Sequence, residues 1–240
     1  MSEKIHIATV DIESSKSDKV VDFAMVISDR KGNNITQCAV LINGIFNDAE
    51  NHPLFYYSDP NGIWDKAGLD ARYDNYMTML HDGRRSLASV NAVNKWINRV
   101  ITQYNPVLTA YNLKFDKRLC QQSGIDLSGF KSEFCLWDAA YTILVKTKKF
   151  RRFILENHYF KSPSKCGYMT WLTTAEIVTR YVLNDPMLDA EPHTALEDIL
   201  EHEIYILNYL LARKSVKKLI SESVSYDWRQ IQVKDWFKPV

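Results

Sequence analysis

The chain has 240 residues, 46% hydrophobic and 25% charged, which suits one large globular domain or a domain with a small appendage. A formal net charge of +1 excludes a uniformly basic nucleic-acid coat and leaves room for a local basic patch. Cysteines at 38, 120, 135 and 166 are too dispersed for a CxxC motif, and no stretch reaches the roughly 18 apolar residues of a membrane span, so a reduced, cytoplasmic chain with no membrane partner is expected.

In chain order, residues 4–12, 20–28 and 35–42 are rich in β-branched and apolar residues and read as strands. Turn chemistry at Ser17-Asp18 and at Arg30-Lys31-Gly32 joins them into an antiparallel meander. The first is apolar on both faces, which predicts a central place in the sheet. Residues 43–86 are broken by Asn-Gly and Asp-Gly pairs and carry Phe46, Phe55, Tyr56, Tyr57, Trp64, Tyr73 and Tyr76. They read as packed loop and short helix, or, more sharply, as rings lining a base-stacking groove. From Ser86 or Ser89 the period becomes helical through Ile101, and Asn105-Pro106 ends that helix. A strand at 107–111, a helix from 114 to 124, a short strand at 133–137 and a helix from 138 to 145 follow. Further helices are expected over 174–184 and 194–214. The fold class is therefore α/β, a mixed central sheet with a three-stranded antiparallel meander, flanked by helices.

Residues 146–165 carry seven lysines and arginines against one acid, Glu156, which leaves −5 for the rest of the chain. Phe150, Phe153, Tyr159 and Phe160 interleave with these cations, a mixture suited to gripping phosphates and stacking bases. Lys148, Lys149, Phe150, Arg151 and Arg152 are the candidate strand-binding residues of this stretch.

Three acidic stretches stand inside apolar surroundings: Asp11-Ile12-Glu13, Asn112 to Asp116, and His193 to Asp198. A buried carboxylate needs a partner or a metal. Asp11 and Glu13, two apart on a strand, point to the same face. Each stretch alone has an ordinary explanation: a turn acid, a helix-terminal acid, a capping histidine. Together they hold the residue types that two divalent cations and a general base require.

The ordered set Asp11-x-Glu13, Asn112-x-x-Phe115-Asp116 and His193-x-Ala195-x-x-Asp198 resembles the DEDDh superfamily of 3′ to 5′ exonucleases across roughly residues 5 to 211. The tyrosine variant of that superfamily would carry Tyr at 194, where this chain has Thr. Where relatives often have Thr-Thr-Gly after the first pair, this chain has Ser14-Ser15-Lys16, keeping the hydroxyls and losing the glycine. The resemblance implies a ribonuclease H-like fold and metal-dependent hydrolysis of phosphodiester bonds at single-stranded 3′ ends, DNA favoured, with two Mg²⁺ or Mn²⁺ ions. It implies Asp11, Glu13, Asp116 and Asp198 as metal ligands, His193 as general base, and Ser14, Ser15 and Asn112 as contacts to the strand. Residues 1–213 would form the exonuclease domain, and 214–240 an extension that packs on the body or docks a partner. A homodimer and a replication or repair partner are open expectations. The alternatives are an exoribonuclease acting on RNA tails or short oligonucleotides, and a catalytically inactive nucleic-acid-binding module.

Overall fold

The run of β-branched residues around IATVDI forms β1 (His6–Ser14), the strand on which the acidic pair stands. A computed structural model describes residues 5–15, 17–48, 66–161 and 170–223. β2 (Val20–Asp29) pairs antiparallel with β1, and β3 (Asn34–Ile42) antiparallel with β2, the meander that the sequence pattern predicts. β4 (Ser86–Ala88) adds parallel to β3, while β5 (Val107–Ala110) runs parallel to β1 and β6 (Glu133–Cys135) parallel to β5. The six-stranded order is β4-β3-β2-β1-β5-β6, which puts β1 in the interior.

Alternation along β1 divides the core. Ala8, Val10 and Ile12 enter an apolar cluster under α2 (Val90–Tyr104) and α3 (Leu113–Gln122). Ile7 enters the cluster on the other face, built largely from α4 (Leu136–Ala140), α5 (Lys148–Glu156), α6 (Ala175–Leu183), α8 (Ile204–Leu211) and α9 (Val216–Glu222). Asp11 and Glu13 share the face of Ile7 by the two-residue period. Ser89 caps α2 by accepting from the Ala92 amide, and Asn105, left-handed at φ +42, closes it.

The structure corrects three expectations. Residues 43–86 hold a long helix, the 16-residue α1 (Lys66–His81), in place of the expected short one, and end at the first residue of β4. Within that region Tyr76 is fully buried and Phe46 stacks on Tyr73 with ring centroids 5.7 Å apart, so these rings pack the body and do not line a groove. Phe55, Tyr56, Tyr57 and Trp64 lie outside the described residues.

The second correction concerns α5. Its inner face is Phe150, Arg151 and Ile154, one helical turn, and Phe150 packs edge-on against Tyr181 at 5.0 Å. Phe150 cannot stack a base and Arg151 does not face solvent, because the amphipathic period turns both into the protein. Phe153 and Tyr159 join the same cluster of rings, leaving Lys148, Lys149 and Arg152 exposed.

The third concerns the last helix, which is interrupted. α7 (Ala195–Asp198) passes into a π-helical turn at Ile199–Glu203 before α8, and the amide of Ile204 donates to the carbonyl of Ile199, five residues back. Beyond α8, Val216 and Leu219 of α9 are buried, and Ser223 Oγ accepts from the Cys135 amide at 2.6 Å. Among the described residues no helix is long and apolar enough to cross a membrane.

Candidate metal centre

Because β5 pairs in parallel with β1, with Thr9 opposite Thr109, the two chains emerge at one end of the sheet. Asp11 and Glu13 stand there on β1, and Asp116 stands just beyond β5, in the first turn of α3. Asn112 turns the chain into that helix with a left-handed φ of +87, and Asp116 is 3% exposed. α7 crosses the same face and brings His193 and Asp198 from the far end of the sequence. His193 itself is left-handed, at φ +54, and its amide donates to Asp198 Oδ1 at 3.1 Å.

A cleft of ≈ 390 Å³ opens here, with Asp11, Glu13, Asn112, His193 and Asp198 in its wall together with the rings of Tyr111, Trp137 and Trp171. Ligating atoms of Glu13, His193 and Asp198 all lie within 4.8 Å of one another, a group that could hold a metal ion. A larger cavity of ≈ 860 Å³ lies along α3 beside Lys114, Lys117 and Arg118, and none of the motif residues lines it. Chemistry, and not volume, singles out the smaller cleft.

Two acids of the cleft carry no sequence motif. Glu203 is 3% exposed; its Oε1 accepts from the Tyr111 amide at 3.2 Å, and its Oε2 is buried without a hydrogen-bond partner. Glu191 accepts from the Glu176 amide at 3.1 Å. Burial, reinforced by Glu203, Asp198 and Asp116, holds the Asp11 carboxyl well above its usual range. Burial raises Asp116 and Glu203 in the same way, Glu203 with added repulsion from Asp116. Burial pushes Asp198 up to about 9, with repulsion from Glu13 and Glu191 added, and Glu191 up to about 7. Glu13 is raised by burial against the opposing pull of Arg72, whose Nη2 stands 2.9 Å from Glu13 Oε2. The same guanidinium donates to the carbonyl of His193. His193 is pushed down to about 4, first by burial and then by Arg72, so its ring is neutral at pH 7.

The donor set fits hard divalent cations: carboxylates crowded together, mostly buried, each held towards its neutral form first by burial and then by the like charges around it. Two divalent ions, with the Arg72 guanidinium beside Glu13, would offset most of the negative charge of Asp11, Glu13, Asp116, Glu191, Asp198 and Glu203.

No protein-family model matches this chain, and no curated protein matches it. The site therefore rests on its own chemistry.

The other predicted contacts fall differently. Ser15 is buried; its Oγ bonds Ser17 Oγ at 2.9 Å and accepts from the Lys19 amide at 3.3 Å, so it holds its own turn. Ser14 is half-buried at the end of β1, and neither serine is in the wall of the cleft. Lys148, Lys149, Phe150, Arg151 and Arg152 are also absent from that wall.

Sequence reasoning missed Arg72, Glu191 and Glu203, and with them a buried lock behind the site. Asp22, fully buried on β2, accepts from Arg85 Nε at 3.2 Å, from the Tyr76 hydroxyl at 3.1 Å and from the Ala195 amide at 3.0 Å. Arg85 also pairs with Glu197, so the lock fastens α1 and the start of α7 to the sheet. A lone aspartate inside VVDFAMVIS was the available signal for it.

Proposed function

We propose that the chain is a divalent-cation-dependent 3′ to 5′ exonuclease of the DEDDh type, with a ribonuclease H-like fold, acting on single-stranded ends. One observation carries the reading: Asp11, Glu13, Asn112, His193 and Asp198, from three distant stretches, line one cleft, and Asp116, buried in the first turn of α3, lies outside its wall but acts electrostatically on Asp11 and Glu203. The antiparallel meander with parallel strands added beside β1 supports the fold assignment. The 3′ polarity rests on the order and spacing of the motifs.

In this reading Asp11, Glu13, Asp116 and Asp198 hold two ions, Mg²⁺ or Mn²⁺. Bound cations supply positive charge at the attacking and leaving oxygens of the phosphodiester. His193, neutral at pH 7, accepts the proton of the attacking water at a ring nitrogen. A phosphate beside the ring favours its protonated form, which offsets the depression imposed by burial and Arg72. Arg72 fixes the histidine through its backbone carbonyl, so the ring and Glu13 keep one spacing. Tyr111 and Trp137, stacked on each other and half-buried, give the cleft an apolar wall against which a terminal base can lie.

The test is parallel digestion of matched single- and double-stranded DNA and RNA, labelled at the 5′ end, with Mg²⁺, Mn²⁺ or EDTA. The expected result is a ladder shortening from the 3′ end of single strands only when divalent ion is present; the DNA and RNA arms decide the sugar. No divalent-dependent shortening of any single strand would falsify the reading.

A further inference from the structure

Asp198 and Glu203 are five residues apart, a spacing that in an α-helix turns the second side chain about 140° from the first. Here both are buried, at 7% and 3% exposure, and both stand in the wall of one cleft. The cause is the π-helical turn at Ile199–Glu203, whose five-residue hydrogen bond from Ile204 to Ile199 widens the helix by one residue. Such a turn brings a residue five places on back towards the same face, and π-turns of this kind occur often at functional sites. Without it Glu203 would leave the cleft, and the apolar face of α8 would start one residue out of register.

The two oxygens of Glu203 have different surroundings. Oε1 accepts from the Tyr111 amide, and Oε2 is buried with no hydrogen-bond partner. A buried carboxylate oxygen left bare costs several kcal/mol unless something positive meets it. Its charged neighbours are acids: Glu203 is the charge that acts most strongly on Asp11, and Asp116 the one that acts most strongly on Glu203. Glu13, His193 and Asp198 bring their ligating atoms within 4.8 Å of one another, and Asp11 and Glu203 stand in the wall of the same cleft outside that group.

We propose that Glu203 is a fifth cation-holding carboxylate, brought into the cleft by the π-helical turn, whose bare Oε2 serves an ion beside Asp11 in the same wall. The proposal rests on the divalent-cation reading of the cleft and adds to it a residue that lies outside the spaced motifs.

The experiment is a Mn²⁺ titration of the full chain followed by electron paramagnetic resonance and by the thermal midpoint, for wild type, Glu203→Gln and Glu201→Gln. Glutamine keeps the acceptor for the Tyr111 amide and removes only the charge, so a purely structural role predicts unchanged Mn²⁺ binding. The expected result is an E203Q half-saturation for one Mn²⁺ raised about 10–100-fold, the range found when groups supporting a metal site are removed. The metal-free E203Q melts above metal-free wild type at pH 7, because the fold no longer has to protonate Glu203 or bury its charge. E201Q, altered at an exposed site, titrates as wild type. Equal half-saturation in E203Q and wild type overturns the proposal. Should E203Q not fold, Glu203→Asp is titrated instead, and an unchanged half-saturation overturns it equally. Hydrolysis on the same samples separates the two readings. Wild type that binds Mn²⁺ but shortens no strand, with E203Q weakened, removes the exonuclease and leaves Glu203 in place. Cleavage with equal Mn²⁺ affinity removes Glu203 alone, and wild type that binds no Mn²⁺ removes both.

Discussion

Asp22, fully buried, and Asp11, half-buried in the cleft wall, are carboxylates on adjacent strands, and they live in opposite electrostatic worlds. Asp22 meets the Arg85 guanidinium, a tyrosine hydroxyl and a backbone amide, so its charge is answered inside the protein. Asp11 has Glu203, Asp198, Asp116 and Glu13 as charged neighbours, and among the described residues the guanidinium beside them, Arg72, is already paired with Glu13. One arrangement holds the fold together, while the other strains it until positive charge arrives from outside. Burial alone therefore does not mark a functional acid; the missing counter-charge does.

The sharpest way to break this contrast is to neutralise each aspartate. Asp11→Asn is expected to lower divalent-dependent hydrolysis by at least about 10³-fold, as removal of a group that acts within a catalytic set does. The same variant raises the thermal midpoint of the metal-free protein, since it relieves repulsion. Lost activity together with lost stability would mean that Asp11 is a structural residue like Asp22.

Asp22→Asn reverses the pattern. It leaves Arg85 buried with half its partners, at a cost of about 3–5 kcal/mol in a urea unfolding curve. A change under about 1 kcal/mol would show that the lock does not fasten α7 to the sheet.

The pH dependence sharpens the contrast without mutation. Asp198 ionises near 3.8 when unfolded and at about 9 in the fold, and Glu191 near 4.5 and at about 7. The folded chain then holds the extra protons, so their contribution is full below about pH 4 and is lost as pH rises through 7 and 9. His193, lowered from 6.5 to about 4, has the opposite sign, and its effect is complete by pH 6.5. The thermal midpoint of the metal-free protein should fall from pH 6.5 to 9, and Mg²⁺ should restore more of it at the upper end. A midpoint that rises over that range contradicts the charge assignment.

The smallest effect belongs to the basic helix. Replacing Lys148, Lys149 and Arg152 with Ala should change stability by no more than about 0.5 kcal/mol. If these residues touch the strand, the salt dependence of binding falls by about 0.7 for each phosphate lost. An unchanged slope would leave α5 with a structural role only.

Much of this architecture is legible in the residues. The meander shows through β-branched runs and turns, α2 through its cap at Ser89 and its stop at Asn105-Pro106, and the motif acids through charge placed within apolar runs. What could not be read has physical causes. α1 presents Arg72 and Tyr76 inward as polar partners, so no apolar stripe announces it. α5 reads as cations alternating with rings until its period is placed against a core, whereupon Phe150 belongs inside. The π-helical turn breaks the 3.6 period on which helical reading depends, and so hides Glu203 from any count of faces.

Among the described residues the acids around Asp11 outnumber the cations beside them, and divalent ions would supply the missing charge. Calorimetric titration of the chain with Mn²⁺ at pH 7, in two buffers of different ionisation enthalpy, tests this most directly. The prediction is two Mn²⁺ per chain bound with release of protons from the raised carboxyls, and loss of at least one of the two in Asp11→Asn. No saturable binding, or binding that Asp11→Asn leaves unchanged, would contradict it.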